Sequence, residues 1–231
     1  MSEGPNDASA SYYAAKLSGE RLRRCYELAS PRVRQYLDAE VSFVLSRLTS
    51  ADDVLELGCG YGRVTRELAR VARRVVGIDT SPGSLDLARA LADPSLECTY
   101  VQMDASEMAF GEARFDAVVC VQNGICAFRV DPPALVRGAL RVLRPGGRAL
   151  FSTYAREFWS ERLDWFRAQA DAGLVGEIDE EASGDGTIVC RDGLRLGMLS
   201  VDELVELGEA VGLRPEIEEI DGSSVFAVWE R

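Results

Sequence analysis

The chain has 231 residues, of which 47% are hydrophobic and 28% are charged, and its formal net charge is −12. This length and composition predict one large globular domain, or a domain with an insertion. The acidic balance disfavours nucleic acid as a partner, because DNA and RNA binding normally requires a basic surface. The chain contains no histidine, so it lacks the commonest general base and metal ligand, and no metal site is predicted.

Localisation can be addressed from the same composition. No apolar run in the sequence reaches the length of a membrane span, and the N-terminus lacks the basic and apolar regions of a signal peptide. Six cysteines occur without a C-x-x-C pair, which is typical of reduced thiols. We therefore expect a cytoplasmic protein without a membrane partner. Nothing in the sequence indicates an oligomeric state.

The N-terminal region reads as a tail followed by helices. Residues 1 to about 10 are polar, which predicts disorder. Apolar residues at helical spacing from Tyr12 then predict two helices, separated at Ser30-Pro31 with Ser30 as N-cap. Six basic residues form a local cationic cluster: Lys16, Arg21, Arg23, Arg24, Arg32 and Arg34. They are either a solvated helix face or part of a cover that pairs with an anionic ligand.

The run Val54-Leu55-Glu56-Leu57-Gly58-Cys59-Gly60-Tyr61-Gly62-Arg63 joins an apolar strand to a helix through three glycines. Glycine permits the dihedrals of a tight turn and lets a ligand approach the main chain. The dinucleotide fingerprint G-x-G-x-x-G/A needs a small residue where Arg63 stands. Glu56 would repel a pyrophosphate and suits a cationic ligand. The loop therefore predicts a cofactor site for a cation.

Two further acids follow at the ends of the next predicted strands. Asp79 lies about 20 residues beyond the loop, where an acid accepts hydrogen bonds from ribose hydroxyls. Asp104 comes just past the strand that begins at Cys98. Strands alternate with helices through this region, which predicts a parallel sheet covered on both faces. Because parallel strands end at one edge, Glu56, Asp79 and Asp104 are predicted to share one site.

Three tracts resemble motifs of the class I methyltransferases that use S-adenosylmethionine: Glu56 to Gly62, Gly77 to Pro82, and Leu143-Arg144-Pro145-Gly146-Gly147. The resemblance implies an α/β fold with a doubly wound, mostly parallel seven-stranded Rossmann-like sheet, N-terminal helices and an insertion after the fifth strand. It implies S-adenosylmethionine as cofactor. The implied cofactor-binding residues are Glu56, Gly58, Cys59, Gly60, Gly62, Asp79, Thr80, Asp104, Ala105, Val121 and Gln122.

The predicted organisation places a tail and helical cover at 1–48 and a methyltransferase domain at 49–231. Residues about 154–197 interrupt the alternation with an aromatic-rich helical segment, where the resemblance implies an acceptor-binding cap. The candidate substrate residues are Tyr13, Asn123, Tyr154 and Trp159, of which Asn123 and Tyr154 are also the candidates for catalysis. A capping box at Ser200, a helix that Gly212 ends and a terminal hairpin complete the chain.

The resemblance implies in-line transfer of a methyl group from S-adenosylmethionine to a nucleophilic N, O or S atom of a small molecule. Many relatives carry a histidine shortly after the fourth strand, whereas this chain has Asn123-Gly124-Ile125-Cys126. Acceptors that are already nucleophilic at neutral pH, such as thiolates, carboxylates and some amines, are therefore favoured over alcohols. Two alternatives remain open: a non-catalytic S-adenosylmethionine-binding sensor or partner protein, and an NAD-dependent oxidoreductase, which Glu56 and Arg63 disfavour.

Overall fold

Helices and strands alternate from Asp53 to Tyr154 in the computed structural model, which describes residues 7–231, with side chains from Tyr12. The helices are α1 (Asp7–Lys16), α2 (Gly19–Glu27), α3 (Pro31–Leu45), α4 (Arg63–Ala69), α5 (Pro82–Ala90), α6 (Gly124–Ala127), α7 (Pro132–Val142), α8 (Trp159–Asp171) and α9 (Val201–Val211). The strands are β1 (Asp53–Leu57), β2 (Arg74–Asp79), β3 (Cys98–Gln102), β4 (Phe115–Cys120), β5 (Leu143–Tyr154), β6 (Ile188–Val189), β7 (Arg195–Leu196), β8 (Glu216–Ile220) and β9 (Ser224–Glu230).

The N-terminal region differs in part from its prediction. Helix α1 begins at Asp7, so the disorder predicted for residues up to about 10 is wrong from there on, and residues 1–6 lie outside the described residues. The first predicted helix is divided at Gly19, whose φ is +56° and whose N–H donates to Ser84 Oγ at 3.0 Å. The predicted cap of α3 is confirmed, since Ser30 Oγ accepts from the Val33 N–H at 3.2 Å.

The seven-stranded sheet has the order β3-β2-β1-β4-β5-β9-β8. Neighbouring strands from β3 to β5 pair in parallel, and β9 is antiparallel to both β5 and β8. The predicted fold class is therefore confirmed. Strand β5 begins at Leu143, so the motif tract Leu143 to Gly147 belongs to this strand. The backbone there forms an irregularity between the Phe115–Leu143 and Ala117–Arg148 pairs, which lets Pro145 lie within the strand.

Helices cover both faces of this sheet. On one face, Val44 of α3 and Leu68 of α4 pack against Val54 and Val119. On the other face, helices α7 and α9 pack on the sheet, with Trp229 of β9 completely buried among them. Burial of each large apolar side chain contributes about 1.5–3 kcal/mol. These two layers hold the strands rigidly, so the residues at the strand ends are fixed relative to one another.

The segment after β5 forms its own small core with the N-terminal helices. A 3₁₀ turn at Arg156–Phe158 leads into α8, and β6 and β7 form an antiparallel pair. Phe166 and Ile188 of this segment are buried with Tyr12 and Leu17. The insertion and the N-terminal helices therefore lie together at the carboxyl edge of the sheet. Across residues 7–231, none of the helices has the length and apolar character needed to cross a membrane.

Candidate active site

The glycine loop between β1 and α4 presents its backbone to the space above the sheet edge. Gly58, Gly60 and Gly62 have φ of +69°, +51° and +75°, a region that residues with a Cβ rarely adopt. The Gly60 N–H donates to Asp79 Oδ2 at 2.9 Å. The Cys59 N–H donates to the Ile78 carbonyl at 2.9 Å. The loop is therefore fastened to the end of β2 at two points.

Asp79 connects this loop to the start of the next helix. Its second oxygen, Oδ1, accepts from the Ser81 N–H at 2.8 Å. Burial raises the pKa of Asp79, and the hydrogen bonds from Ser81 and Gly60 act in the opposite direction. Each carboxylate oxygen can accept a further hydrogen bond. Because Asp79 also lines the cavity above the sheet edge, it is placed as a ribose-binding acid would be.

A cavity of ≈ 160 Å³, called here the main cavity, lies across the ends of β1 to β4. Eight of the predicted cofactor residues line it: Gly58, Gly60, Asp79, Thr80, Asp104, Ala105, Val121 and Gln122. Leu22 and Tyr26 of α2 line it from the N-terminal region, together with Leu17 from the bend between α1 and α2. Phe128, which the sequence analysis missed, lies against Gly58, where an added Cβ would be 2.5 Å from its ring. The main cavity is thus bounded by the strand ends below and by apolar side chains above.

Asp104 has a structural role besides its place at the cavity. Its Oδ1 accepts from both the N–H and the hydroxyl of Ser106, at 2.7 and 2.6 Å. These bonds cap the 3₁₀ turn Ala105–Glu107 and fix the direction of the chain after β3. The carboxylate is exposed at the cavity rim, so it can accept a ligand hydrogen bond at a small desolvation cost.

Three predicted cofactor residues lie outside the main cavity: Glu56, Cys59 and Gly62. The Cys59 side chain packs beneath the loop against Gly77, where an added Cβ would be 2.8 Å from it. At Gly62 an added Cβ would be 2.6 Å from the Tyr100 hydroxyl, so this glycine is required by the turn and by packing. Glu56 and Cys59 line a neighbouring cavity of ≈ 50 Å³.

This neighbouring space, the Glu56–Arg63 cavity, contains charges of both signs. Glu56 accepts from the Thr65 hydroxyl at 2.5 Å, and burial raises its pKa to about 7. The Arg63 guanidinium lies 5.0 Å from the centre of the Tyr26 ring. Its Nε and Nη2 atoms are buried and have no hydrogen-bond partner among the described residues. An acid and an unsatisfied guanidinium beside each other fit a ligand end that carries both an ammonium and a carboxylate.

The methionyl end of S-adenosylmethionine is such a group. The Glu56–Arg63 cavity shares Gly58, Gly60 and Gln122 with the main cavity. The residues present therefore fit the implied cofactor, with its amino-acid end beside Arg63 and its nucleoside in the main cavity. In the sequence, Arg63 stands out only as a departure from the dinucleotide fingerprint. That departure, a charged residue where a small one is usual, was the available signal for its role.

A second cavity, of ≈ 60 Å³, lies between α2, α8 and the segment after β4. It shares Tyr13, Leu22, Tyr26 and Gln122 with the main cavity. Three of the predicted substrate residues, Tyr13, Asn123 and Tyr154, line it. The fourth, Trp159, lines none of the three cavities described here, and its ring lies 5.9 Å from the Arg162 guanidinium carbon. Arg162 lines this cavity and was not predicted.

The two candidate catalytic residues, Asn123 and Tyr154, are buried and contact other parts of the protein. The Asn123 amide accepts from the Thr153 hydroxyl and donates to the Gly197 carbonyl, both at 2.9 Å. It thereby ties β5 to the insertion. Burial raises the pKa of Tyr154, so its phenol is protonated at neutral pH and cannot act as a base. Neither side chain is arranged for proton abstraction, which agrees with an acceptor that needs no base.

The basic residues of the N-terminal helices form hydrogen bonds and ion pairs outside the cavities. Arg21 donates to the Gly173 and Leu174 carbonyls, and Arg32 forms an ion pair with Asp221 at 2.6 Å. Lys16 and Arg23 pair with acids on the surface. None of these side chains lines the three cavities described above. The alternative that this cluster binds a cofactor or substrate anion is therefore not supported, and the cations at the site are Arg63 and Arg162.

Sequence comparison supports the motif assignments. A family model described as a methyltransferase domain matches residues 54–147. The ubiquinone biosynthesis O-methyltransferase of Alkalilimnicola ehrlichii is 37% identical over 105 residues, which are 45% of this chain and 42% of that protein. The chain spans about half the length of the curated relatives it matches.

Structural comparison shows the same fold over the whole chain. The cyclase SpnF has a TM-score of 0.69 and 17% identity, covering 100% of this chain and 97% of its own. The structure described as the DhpI-SAM-HEP complex has a TM-score of 0.63 and 24% identity, covering 100% of both chains. At these identities the similarity extends to the fold and not to the reaction.

Proposed function

We propose that this protein is a class I S-adenosylmethionine-dependent methyltransferase that methylates a small molecule, and the methyltransferase-domain match over residues 54–147 supports this assignment. The acceptor atom is a nucleophilic N, O or S. The observation that carries this proposal is the arrangement of the cavities. The main cavity and the second cavity share the walls formed by Tyr13, Tyr26 and Gln122. In-line transfer requires a donor site and an acceptor site in such direct contact.

The residues have separate tasks in this reaction. Asp79 holds the ribose, Asp104 and Ala105 contact the adenine, and Arg63 with Glu56 holds the amino-acid end. S-adenosylmethionine, when bound, supplies a methyl group activated by its positive sulfur. Held by these residues, it would give up that methyl group to an acceptor lone pair and keep the bonding electron pair on sulfur. Any proton on the acceptor atom leaves to water.

The protein's contribution is therefore alignment and exclusion of water. Tyr26 donates its hydroxyl to Gln122 Oε1 at 2.6 Å, which closes α2 over the junction of the cavities. The Gln122 Nε2 atom is buried and has no partner among the described residues. It is available to an acceptor or cofactor oxygen at that junction.

We also propose a class of acceptor and a cellular location for the reaction. The acceptor is a free small molecule rather than nucleic acid, which the net charge of −12 supports. The site of action is the cytoplasm, which the six free cysteines support. The boundary at residue 48 and the acceptor-binding cap at 154–197 likewise stay predictions.

Calorimetry with S-adenosylmethionine, its demethylated product and NAD separates the cofactor classes. We expect the first two to bind and NAD not to bind. Asp79→Ala should weaken binding by about 1.5–3 kcal/mol, because a charged hydrogen-bond acceptor is lost. Asp86→Ala is the matched control, since Asp86 is an exposed acid on α5. Binding of NAD alone, or wild-type affinity in Asp79→Ala, would contradict the proposal.

A second measurement separates an enzyme from a sensor. Methyl-labelled S-adenosylmethionine is offered with a panel of small thiols, amines and carboxylic acids, and formation of labelled product is followed. We expect turnover with at least one member. If the cofactor binds but no product forms with any acceptor class, the sensor alternative is the better description.

A further inference from the structure

Arg162 is a buried cation whose charge the protein does not balance. Its side chain is 1% exposed and lies on α8, facing the second cavity. Nη1 donates to the Gly186 carbonyl at 2.8 Å, and Nη2 donates to the Leu196 and Gly197 carbonyls at 3.0 and 3.2 Å. Nε is buried without a partner. Within residues 12–231, Arg162 belongs to no ion pair, although Arg167 on the same helix has two.

Burial of an unpaired guanidinium in this position costs free energy. Removing a charge from water costs several kcal/mol unless partners compensate. Three carbonyls supply part of that compensation, and the Tyr154 ring, 4.3 Å from the guanidinium carbon, supplies a weaker attraction. Burial lowers the pKa of Arg162, but an arginine in a protein stays protonated. The second cavity therefore carries a net positive charge in a protein whose total charge is −12.

The position of Arg162 indicates which part of a bound acceptor molecule would contact its guanidinium. The residues shared by the main and second cavities, such as Tyr26 and Gln122, mark the side nearest the methyl donor. Arg162 lines only the second cavity. An anion beside it is therefore held away from the methyl donor and is an anchor, not the attacking atom. Between these two ends the walls are largely aromatic, with Tyr13, Tyr154 and Trp165, which suits a flat apolar body.

We propose that the second cavity binds a small aromatic carboxylic acid, with its carboxylate against Arg162 and its methyl-accepting N, O or S atom toward Gln122. The placement of the reacting atom rests on the proposed function, whereas the binding of the carboxylate does not. A carboxylate accepts charge-assisted hydrogen bonds from a guanidinium, and Nε is the donor that the protein leaves free.

The test compares acids with their neutral amides. Benzoate and its hydroxy, amino and mercapto derivatives are titrated into the protein, and the corresponding benzamides are titrated in parallel. Each titration is done with and without S-adenosylhomocysteine, which is the demethylated product of S-adenosylmethionine. We expect at least one acid to bind about tenfold or more tightly than its amide, because a charged contact is worth more than 1.4 kcal/mol. If no acid in the panel binds better than its amide, the inference is overturned.

Variants assign the preference to one side chain. Arg162→Gln should reduce the ratio of acid to amide affinity to about one, and Arg162→Lys should restore part of it. Arg167→Gln removes the same charge from the same helix outside the cavity and should retain the wild-type ratio. Since Arg162 also holds three carbonyls of the insertion, circular dichroism checks the fold. If Arg162→Gln does not fold, the Arg162→Lys variant and the wild-type comparison decide.

Binding of S-adenosylhomocysteine and the preference for acids over amides are independent measurements. If S-adenosylhomocysteine fails to bind while the acids still outcompete their amides, the proposed function is wrong and the anion site stands. If S-adenosylhomocysteine binds and acids and amides bind equally, the anion site is wrong and the proposed function stands.

Discussion

Gly60 and Gly146 share a left-handed backbone but differ in their surroundings. Their φ values are +51° and +78°. A Cβ on Gly60 would lie 3.0 Å from the Leu22 side chain of α2, whereas a Cβ on Gly146 would meet nothing within 4 Å. Alanine at either position strains the backbone, at a cost of about 1 kcal/mol. Only at Gly60 would the methyl group also enter the space between the loop and the helix above it.

We therefore expect Gly60→Ala to weaken S-adenosylhomocysteine binding by at least about tenfold, or 1.4 kcal/mol, and Gly146→Ala to leave it unchanged. Calorimetry measures the affinities, and denaturant unfolding verifies that the two variants lose similar stability. Equal affinities for the two variants would mean that the glycine loop does not face the ligand.

Glu56 gives cofactor binding a pH dependence. Burial raises its pKa to about 7, so below that pH the acid is mostly protonated in the free protein. A cationic ligand favours the ionised form. Binding must then release a proton at low pH, and affinity for S-adenosylmethionine should rise as the pH increases from 5.5 to 7.5, by up to about tenfold per unit below the pKa.

Isothermal titration across that pH range tests this dependence. Glu56→Gln cannot titrate and should show a flatter profile. Glu67→Gln is the control, because Glu67 on α4 pairs with Arg70 and lines none of the three cavities. A profile in Glu56→Gln as steep as that of the wild type would assign the dependence to another group.

The residues found from the sequence and those missed differ in what determines them. Asp79 and the glycines were recognised because local spacing fixes their positions relative to a strand end. Arg162 lies on a helix that the sequence marks only by its aromatic residues, and its burial depends on carbonyls at residues 186, 196 and 197. Contacts between segments so distant in sequence are not encoded in any local period, so this cation could not be identified before the fold was known.

At the scale of elements, α2 is the part that covers the site. Leu22 and Tyr26 line all three cavities, and Trp165 of α8 donates to the Cys25 carbonyl at 2.9 Å. The helix is nine residues long, which is too short to be stable in isolation. Its order therefore depends on these contacts and on whatever fills the cavities beneath it.

We expect S-adenosylhomocysteine to slow hydrogen exchange of the α2 amides by at least about tenfold, because bound ligand must leave before the helix can open. Exchange in α9, which lies on the face of the sheet, should change much less. Tyr26→Phe removes the hydrogen bond to Gln122 and should speed exchange of α2 in the free protein several-fold, since such a bond is worth about 1 kcal/mol. Unchanged exchange in α2, together with calorimetric evidence of binding, would mean that the helix is not a cover.

Elements with strong local signals were predicted closely. The capping box is confirmed, since Ser200 Oγ accepts from the Glu203 N–H at 3.2 Å and Glu203 Oε2 accepts from the Ser200 N–H at 2.7 Å. Gly212 ends α9 with a φ of +75°, also as predicted. The division at Gly19 and the course of β5 through Gly146 were not predicted, because each depends on a partner elsewhere in the chain. Gly19 bonds to Ser84, and the Gly146 N–H donates to the Arg231 carbonyl at 2.7 Å.

At the scale of the whole molecule, one buried acid joins three distant parts of the chain. Glu40 on α3 is 0% exposed. Its Oε1 accepts from the Ser224 hydroxyl at 3.0 Å, and its Oε2 accepts from the Gln122 N–H at 3.1 Å. Glu40 thus links a helix on the sheet face, the start of β9 and the segment after β4. Removal from water disfavours its charged form and raises its pKa from the usual 4.5 to about 7.

This shift makes overall stability depend on pH in a definite direction. Between pH 4.5 and 7 the folded protein holds a proton on Glu40 that the unfolded chain has released. The free energy of unfolding therefore falls as the pH rises through this window and is level with respect to Glu40 above it. At about 1.4 kcal/mol per pKa unit, the full effect is of the order of 3 kcal/mol.

Glu40→Gln removes that titration. We expect the unfolding free energy of Glu40→Gln minus that of the wild type to increase by about 2–3 kcal/mol from pH 5 to pH 8, measured by urea denaturation. Any constant effect of the altered hydrogen bonds cancels in this difference. Glu209→Gln replaces an exposed acid on α9 and should show a difference that stays nearly constant. If the Glu40→Gln difference is also constant, Glu40 is ionised in the folded protein throughout, and its hydrogen bonds outweigh its burial.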